Sequence, residues 1–172
     1  MWVLQRRLAY VVSAAGFSCV LASGAVGQSL APKPPAAQHI SVEPGSSAAA
    51  VPPGAALTLF AEVTPAAGVH VYAEGAKAFD FIPVSLVLTP NASISVGKPR
   101  FPPAQPSPPG AVDEKVPIYT KAFRISQPIT VRSTVKRGDV LTISGAVNYQ
   151  ACDDRLCYPP SSVPVHWALS VK

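Results

Sequence analysis

Apolar and polar residues alternate with a period of two over most of the chain after residue 54. This pattern places successive side chains on opposite faces of a β-strand, and no segment shows the apolar stripe of an α-helix. About eight short strands separated by turns predict an all-β, antiparallel sandwich, with an up-and-down barrel as the alternative. The predicted strands cover residues 57–63, 69–72, 84–88, 94–96, 122–125, 129–133, 140–149 and 163–171.

Proline accounts for 20 of the 172 residues, more than twice its average share, and two segments, 28–54 and 99–109, contain six each. Because 28–54 also has few large apolar residues, we expect a flexible tether, in which Ile40 and Val42 can still form a short edge strand. The segment 99–109 is expected to be a long, stiff loop that either only covers the surface or borders a binding face. Residues 55–172 are expected to form the folded domain.

The first 27 residues have the layout of a secretory signal peptide. Two arginines, Arg6 and Arg7, precede an apolar stretch that ends in the small residues of Ala25-Val26-Gly27. We therefore predict a cleaved signal peptide over 1–27 and export to the periplasm, by the general secretory route rather than the twin-arginine route. An uncleaved membrane anchor is the alternative.

Export changes how the cysteines are interpreted. Cys19 would leave with the signal peptide, and the remaining pair, Cys152 and Cys157, would meet an oxidising compartment in which a disulfide can persist. The net charge is +5, and the lysines and arginines are scattered along the chain without forming a basic run or alternating with aromatic residues. We therefore expect no nucleic-acid partner.

The two cysteines lie between the predicted strands 140–149 and 163–171. If these strands are hairpin neighbours, the cysteines face each other at the strand ends, within disulfide distance. Spacing alone leaves three interpretations open: a structural disulfide, a redox pair, or a metal site completed by His166 or by a carboxylate of Asp153 or Asp154. The short loop mildly favours a redox role, because a structural disulfide stabilises a sandwich more when it joins distant strands.

Several motifs, taken in order along the chain, resemble the N-terminal periplasmic domain of the thiol:disulfide interchange protein DsbD. The most specific are Tyr-Gln-Ala-Cys at 149–152 and Cys-Tyr-Pro-Pro at 157–160. The supporting motifs are Gly-Val-His-Val-Tyr at 68–72, the strand at 83–88, Lys-Pro-Arg-Phe-Pro at 98–102, Asp-Glu at 113–114 and Ile-Tyr at 118–119. The resemblance covers roughly residues 55–172.

This resemblance implies an immunoglobulin-like sandwich whose cysteines cycle between dithiol and disulfide. Cys157 would form mixed disulfides with partners, and Cys152 would resolve them. The implied activity is that of a protein-disulfide reductase component without cofactor or metal. The implied partners are thioredoxin-fold periplasmic proteins, including disulfide isomerases and cytochrome c maturation factors, with a separate membrane electron donor supplying electrons to a monomeric domain.

The resemblance also implies a set of supporting residues. His70 and Tyr72 would lie on a strand near the cysteines, and the cap that shields them would be formed by the segment around Asp113, Glu114 and Tyr119. The residues expected to frame the pair are Tyr149, Tyr158 and Pro159.

Two departures from the family pattern bear on shielding and partner choice: only four residues separate the cysteines, and residues 113–117 contain no aromatic side chain. Simpler interpretations are core packing for Tyr72 and Tyr149, and a place in the tether for His39. The alternative function is a periplasmic binding or assembly module in which the disulfide is purely structural.

Overall fold

The computed structural model describes residues 38–109 and 115–172. Over these residues the chain is built from short strands and a single 3-10 helix at Glu74–Phe79. No helix in the described ranges is both long and apolar enough to span a bilayer. The strands are β1 (Ile40–Ser46), β2 (Ala50–Val51), β3 (Ala56–Pro65), β4 (His70–Tyr72), β5 (Ser85–Leu88), β6 (Ile94–Val96), β7 (Gln105–Pro106), β8 (Pro117–Tyr119), β9 (Phe123–Val131), β10 (Val140–Tyr149), β11 (Ala151–Cys152) and β12 (Ser161–Val171).

Two four-stranded sheets enclose the main core. The first sheet has the order β1-β3-β9-β6 and is antiparallel throughout. The second has the order β2-β12-β10-β5, in which only the short β2 runs parallel to its neighbour. The sheets are separate and each keeps two edge strands, so the chain forms the predicted immunoglobulin-like β-sandwich and not the alternative barrel.

The apolar side chains of the alternating pattern fill the space between these two sheets. Every second residue of β3 from Leu57 to Val63 is buried, as is every second residue of β12 from Val163 onward. Trp167 of β12 reaches across the core, and its indole N–H donates to the carbonyl oxygen of Phe60 at 3.2 Å. The predicted hairpin of β10 and β12 is confirmed over ten paired positions.

A third, smaller sheet with the order β11-β4-β8-β7 lies beside the sandwich, and β11 carries Cys152. Because β11 follows β10 after a single residue, the second sheet leads directly into the third. The cysteines therefore lie where the chain passes from the second sheet of the main sandwich to the small third sheet.

The N-terminal part of the fold differs from the expected tether over 28–54. Residues from Ile40 onward pair with β3 as a seven-residue strand, and Ala50 and Val51 extend the second sheet. Ile40 and Val51 are buried in the main core, because few but well-spaced apolar residues suffice for an edge strand that covers only one face. The signal peptide and residues 28–37 lie outside the described residues.

The two predicted segments at 122–125 and 129–133 are one continuous strand, β9, that passes through Pro128 in the interior of the first sheet. Proline is normally confined to strand starts or edge strands because it lacks an N–H donor. Here the carbonyl of Pro128 accepts the N–H of Gly97, which follows the end of β6. The missing donor therefore faces a point where the neighbouring strand has already ended.

Gly145 of β10 lies opposite Leu88 of the edge strand β5, with no room for a side chain. A Cβ atom there would lie 2.8 Å from the carbonyl oxygen of Val87 and 2.9 Å from a methyl group of Leu88. We expect Gly145→Ala to lower the free energy of unfolding by about 1–3 kcal/mol, as overpacking does, in urea titrations. Ser170→Ala, at an exposed position of β12, is the control and should stay within about 0.5 kcal/mol; equal effects of the two would contradict the close approach.

Candidate functional site

Cys152 and Cys157 form a disulfide with a Cα–Cα distance of 4.0 Å. Cys152 is only 2% exposed in β11, whereas Cys157 is exposed in the loop that follows. The two residues also pair as an isolated antiparallel bridge, which places them opposite each other as the hairpin predicted. One sulfur is thus open to a protein partner and the other is not.

The hydroxyl of Tyr72 lies beside both sulfurs, 3.0 Å from Cys152 Sγ and 3.3 Å from Cys157 Sγ. Tyr72 is fully buried on β4, and its ring stacks on that of Phe81 with centroids 4.2 Å apart. His70 pairs with Cys152 between β4 and β11. Its ring packs edge-on against the ring of Tyr72, with the two ring centroids 5.5 Å apart. Both β4 residues therefore lie next to the cysteines.

A second apolar cluster, distinct from the main core, surrounds Cys152. It joins that residue to Tyr72 and to three small or branched side chains, with Phe81 packed against it. These three are Ala76, Val116 and Ile118. Their burial keeps water from the inner sulfur, which leaves the outer face of Cys157 as the open route to the disulfide.

The loop between the cysteines is organised by Asp153. Its carboxylate accepts the hydroxyl of Tyr158 at 2.6 Å through one oxygen, and the N–H groups of Arg155 and Leu156 at 2.7 and 2.9 Å through the other. These three hydrogen bonds lower the pKa of Asp153 to about 2, and the one from Tyr158 contributes most. The same contact, together with partial burial, raises the pKa of Tyr158.

This loop predicts a titration at unusually low pH. Because the pKa of Asp153 in the folded chain is about 2, below the ordinary aspartate value of about 4, its contacts are fully present above pH 4 and are lost as the pH falls through about 2. We expect the amide NMR signals of Arg155 and Leu156 to titrate with that low midpoint, and Asp153→Asn to remove the transition. A midpoint close to the ordinary value would contradict the hydrogen bonding described here.

The residues expected to frame the pair occupy different positions. Tyr158 directly follows Cys157 and is half-buried at the edge of the main core. Tyr149 is buried in that core, and its hydroxyl accepts the backbone N–H of His39 at 3.1 Å. Pro159 is exposed, next to Tyr158. Asp113 and Glu114 lie outside the described residues.

Tyr119 does not lie where a shielding residue would. Neighbouring residues of β8 point to opposite faces, so Ile118 joins the cluster around Cys152 while Tyr119 joins the main core. The ring of Tyr119 stacks on Phe123, and its hydroxyl donates to the carbonyl oxygen of Pro102 at 2.7 Å. Burial, with a smaller contribution from the charge of Glu74, raises the pKa of Tyr119.

Two aromatic neighbours of the site were missed from the sequence. Phe81 stacks on Tyr72, and His39, expected in the tether, stacks on Tyr158 with ring centroids 3.6 Å apart. Neither position carries a local motif. His39 and Tyr158 are more than a hundred positions apart in the chain, and Phe81 reaches Tyr72 from the far side of the 3-10 helix that separates them. The role of Asp153 had a local signal, because an aspartate readily accepts backbone N–H groups two and three residues ahead.

The metal alternative finds no support in the described ranges. No group of three or more His, Cys, Asp and Glu side chains there is arranged to hold a metal ion. His166 lies on the exposed face of β12, where its Nδ1 is 3.1 Å from Ser144 Oγ.

Comparisons with known proteins bear on this site. The family described as "Thiol:disulfide interchange protein DsbD, N-terminal" matches residues 36–165. The crystal structure of the Neisseria meningitidis DsbD N-terminal domain in the reduced form is similar at 15% sequence identity and a TM-score of 0.47, over 75% of this chain and 90% of that chain. No curated protein matches the chain. Because the family match spans most of the chain and includes both cysteines, the chain belongs to the DsbD N-terminal family, whose chemistry is thiol–disulfide interchange.

Proposed function

We propose that the Cys152–Cys157 pair is the redox centre of a protein-disulfide reductase component, which accepts electrons from one thioredoxin-fold protein and passes them to others. The observation that carries this proposal is the unequal exposure of the two cysteines. An exposed Cys157 is bonded to a buried Cys152. This is the arrangement that exchange needs, because a partner must reach one sulfur while the other waits to resolve the mixed disulfide.

The proposed reaction runs in two steps. The thiolate of Cys157 attacks one sulfur of the client's disulfide, the client's S–S bond breaks, and one client sulfur leaves as a thiolate. Cys152, deprotonated, then attacks the Cys157 sulfur, which releases the second client thiolate and closes the Cys152–Cys157 disulfide. The client gains two electrons and two protons, and a donor dithiol later reverses both steps on this chain.

A purely structural role fits the loop less well. Closing a loop with a sequence separation of 5 stabilises a fold by about 2 kcal/mol at most through unfolded-state entropy. The ends of this loop are already joined by backbone hydrogen bonds, from Tyr158 N–H to the Ala151 carbonyl and from Asp153 N–H to the Leu156 carbonyl. A bridge here therefore adds little that the hydrogen bonds do not already supply.

The surface around Cys157 supports a protein partner. Leu156 is 53% exposed and Ile82 44% exposed, and the N–H of Ile82 donates to the side-chain oxygen of Gln150 close to Cys152. Exposed apolar side chains beside an accessible disulfide favour docking of another protein over reaction with small thiols alone. The proposed setting is the periplasm, with a separate membrane electron donor, cytochrome c maturation factors among the clients, and a monomeric domain.

The test of this function is redox equilibration of the chain without residues 1–27 in glutathione buffers of varied ratio, with trapping of free thiols. We expect the Cys152–Cys157 disulfide to open and close within the range that glutathione covers. A reduction potential below about −300 mV, where structural disulfides lie, would overturn the proposal. In that case the chain would be a binding or assembly module, and Cys157→Ser would lower stability without affecting any exchange reaction.

A further inference from the structure

We propose that His39, Tyr158 and Asp153 form a positioning chain that holds Cys157 within reach of Cys152 when the disulfide is open. The proposal rests on the proposed function and adds the residues that keep the open pair poised to close. None of the three side chains contacts the partner's reacting atoms in this account, and each acts through the next.

The first link is Asp153, which follows Cys152 directly. Its carboxylate accepts the N–H groups of Arg155 and Leu156 and the hydroxyl of Tyr158, so it binds residues on both sides of Cys157. Hydrogen bonds to an ionised acceptor are stronger than neutral ones. Asp153 therefore fixes the short loop by side-chain contacts that do not involve either sulfur.

The second link is the stack of His39 on Tyr158, with centroids 3.6 Å apart and planes inclined by 17°. The backbone of His39 is itself fixed on both sides. Its N–H donates to the buried Tyr149 hydroxyl at 3.1 Å, and its carbonyl accepts the N–H of Ala66 at 2.9 Å. The imidazole is thus a fixed surface against which the Tyr158 ring rests, and the ring in turn keeps its hydroxyl on Asp153.

These contacts have a direct consequence for the open pair. Because none of them requires the S–S bond, the loop can keep its shape after reduction, and the two thiols then stay close together. A high effective concentration of one thiol next to the other favours closure, in which the pair loses two electrons and two protons to a client disulfide. Weakening the chain should therefore make the disulfide easier to reduce.

The experiment measures the equilibrium constant between the dithiol and the disulfide in glutathione buffers for matched variants. We expect Asp153→Ala to lower the constant for disulfide formation about tenfold, while Asp154→Ala, its exposed neighbour, leaves it unchanged. His39→Ala should lower it about threefold, and His39→Phe, which keeps a stacking ring, should restore it. Tyr158→Phe keeps the ring and removes the hydroxyl, so it should fall between wild type and Asp153→Ala.

The outcomes separate this proposal from the function on which it rests. If the wild-type disulfide does not equilibrate with glutathione at all, the proposed function fails. If the wild type equilibrates but Asp153→Ala matches Asp154→Ala, or His39→Phe behaves like His39→Ala, the positioning chain is refuted and the function stands. Should Asp153→Ala fail to fold, Tyr158→Phe and the two His39 variants decide alone, and unchanged constants in all three refute the chain.

Discussion

Replacing Cys157 with serine is expected to abolish disulfide exchange completely, whereas replacing Cys152 with serine should stop the reaction after its first step. Cys157 is the exposed sulfur, and a serine hydroxyl is not ionised at neutral pH, so no nucleophile reaches the client. In Cys152→Ser the exposed thiol can still attack, but nothing resolves the mixed disulfide. Covalent adducts through Cys157 should therefore accumulate.

The measurement is recovery of adducts from cells that carry Cys152→Ser, by non-reducing electrophoresis and mass spectrometry. The double variant Cys152→Ser/Cys157→Ser is the control and should yield none. Adducts formed in equal amount by Cys157→Ser would contradict the assignment of attack to Cys157 alone, and adducts formed only by Cys157→Ser would reverse the proposed roles of the two cysteines. Adducts formed by neither single variant would remove the case for exchange.

Removing the hydroxyl of Tyr72 is expected to slow the reaction of the open pair about tenfold at neutral pH. The hydroxyl lies 3.0 and 3.3 Å from the two sulfurs, so it can donate to a thiolate, and hydrogen bonds to charged groups contribute about 1.5–3 kcal/mol. Tyr72→Phe keeps the ring stacked on Phe81 and leaves less thiolate for attack. The rate of alkylation of the reduced protein by iodoacetamide measures this directly.

Tyr119→Phe is the matched control for this prediction. It removes the same atom from a buried tyrosine whose hydroxyl donates to Pro102 and whose ring lies in the main core. The alkylation rate of this variant should equal that of the wild type. A slowing of the same size in both variants would mean that the effect arises from general loosening and not from the hydroxyl beside the sulfurs.

The two-residue period of apolar side chains was sufficient to predict the main strands, because a strand with one buried face has an apolar residue at every second position. Leu57 and Val63 of β3, and Val163 and Trp167 of β12, all point inward as their spacing requires. The strand that begins at Ile40 was underestimated, since an edge strand needs few apolar residues. Short strands such as β7 and β11 have two residues each and contain too little pattern to be read.

The site was predictable where chemistry is local and not where the fold brings distant segments together. Cys152, Cys157 and Tyr72 belong to motifs that can be recognised along the chain. The stacking of His39 on Tyr158 joins residues more than a hundred positions apart, and no local spacing records it. For Tyr119, a register that differs by one residue decides which face of the strand it occupies.

The direction of β12 determines at which end the protein can be attached to a label or a support without covering the disulfide. Ser161 begins this strand close to the disulfide, and its eleven residues then carry the chain about 30 Å away, so that Lys172 lies at the far end of the sandwich. His39 lies at the disulfide end instead, where its ring stacks on that of Tyr158. A fluorophore or a biosensor support attached after Lys172 would leave the reactive face turned toward solution, and the same attachment just before His39 would obstruct it.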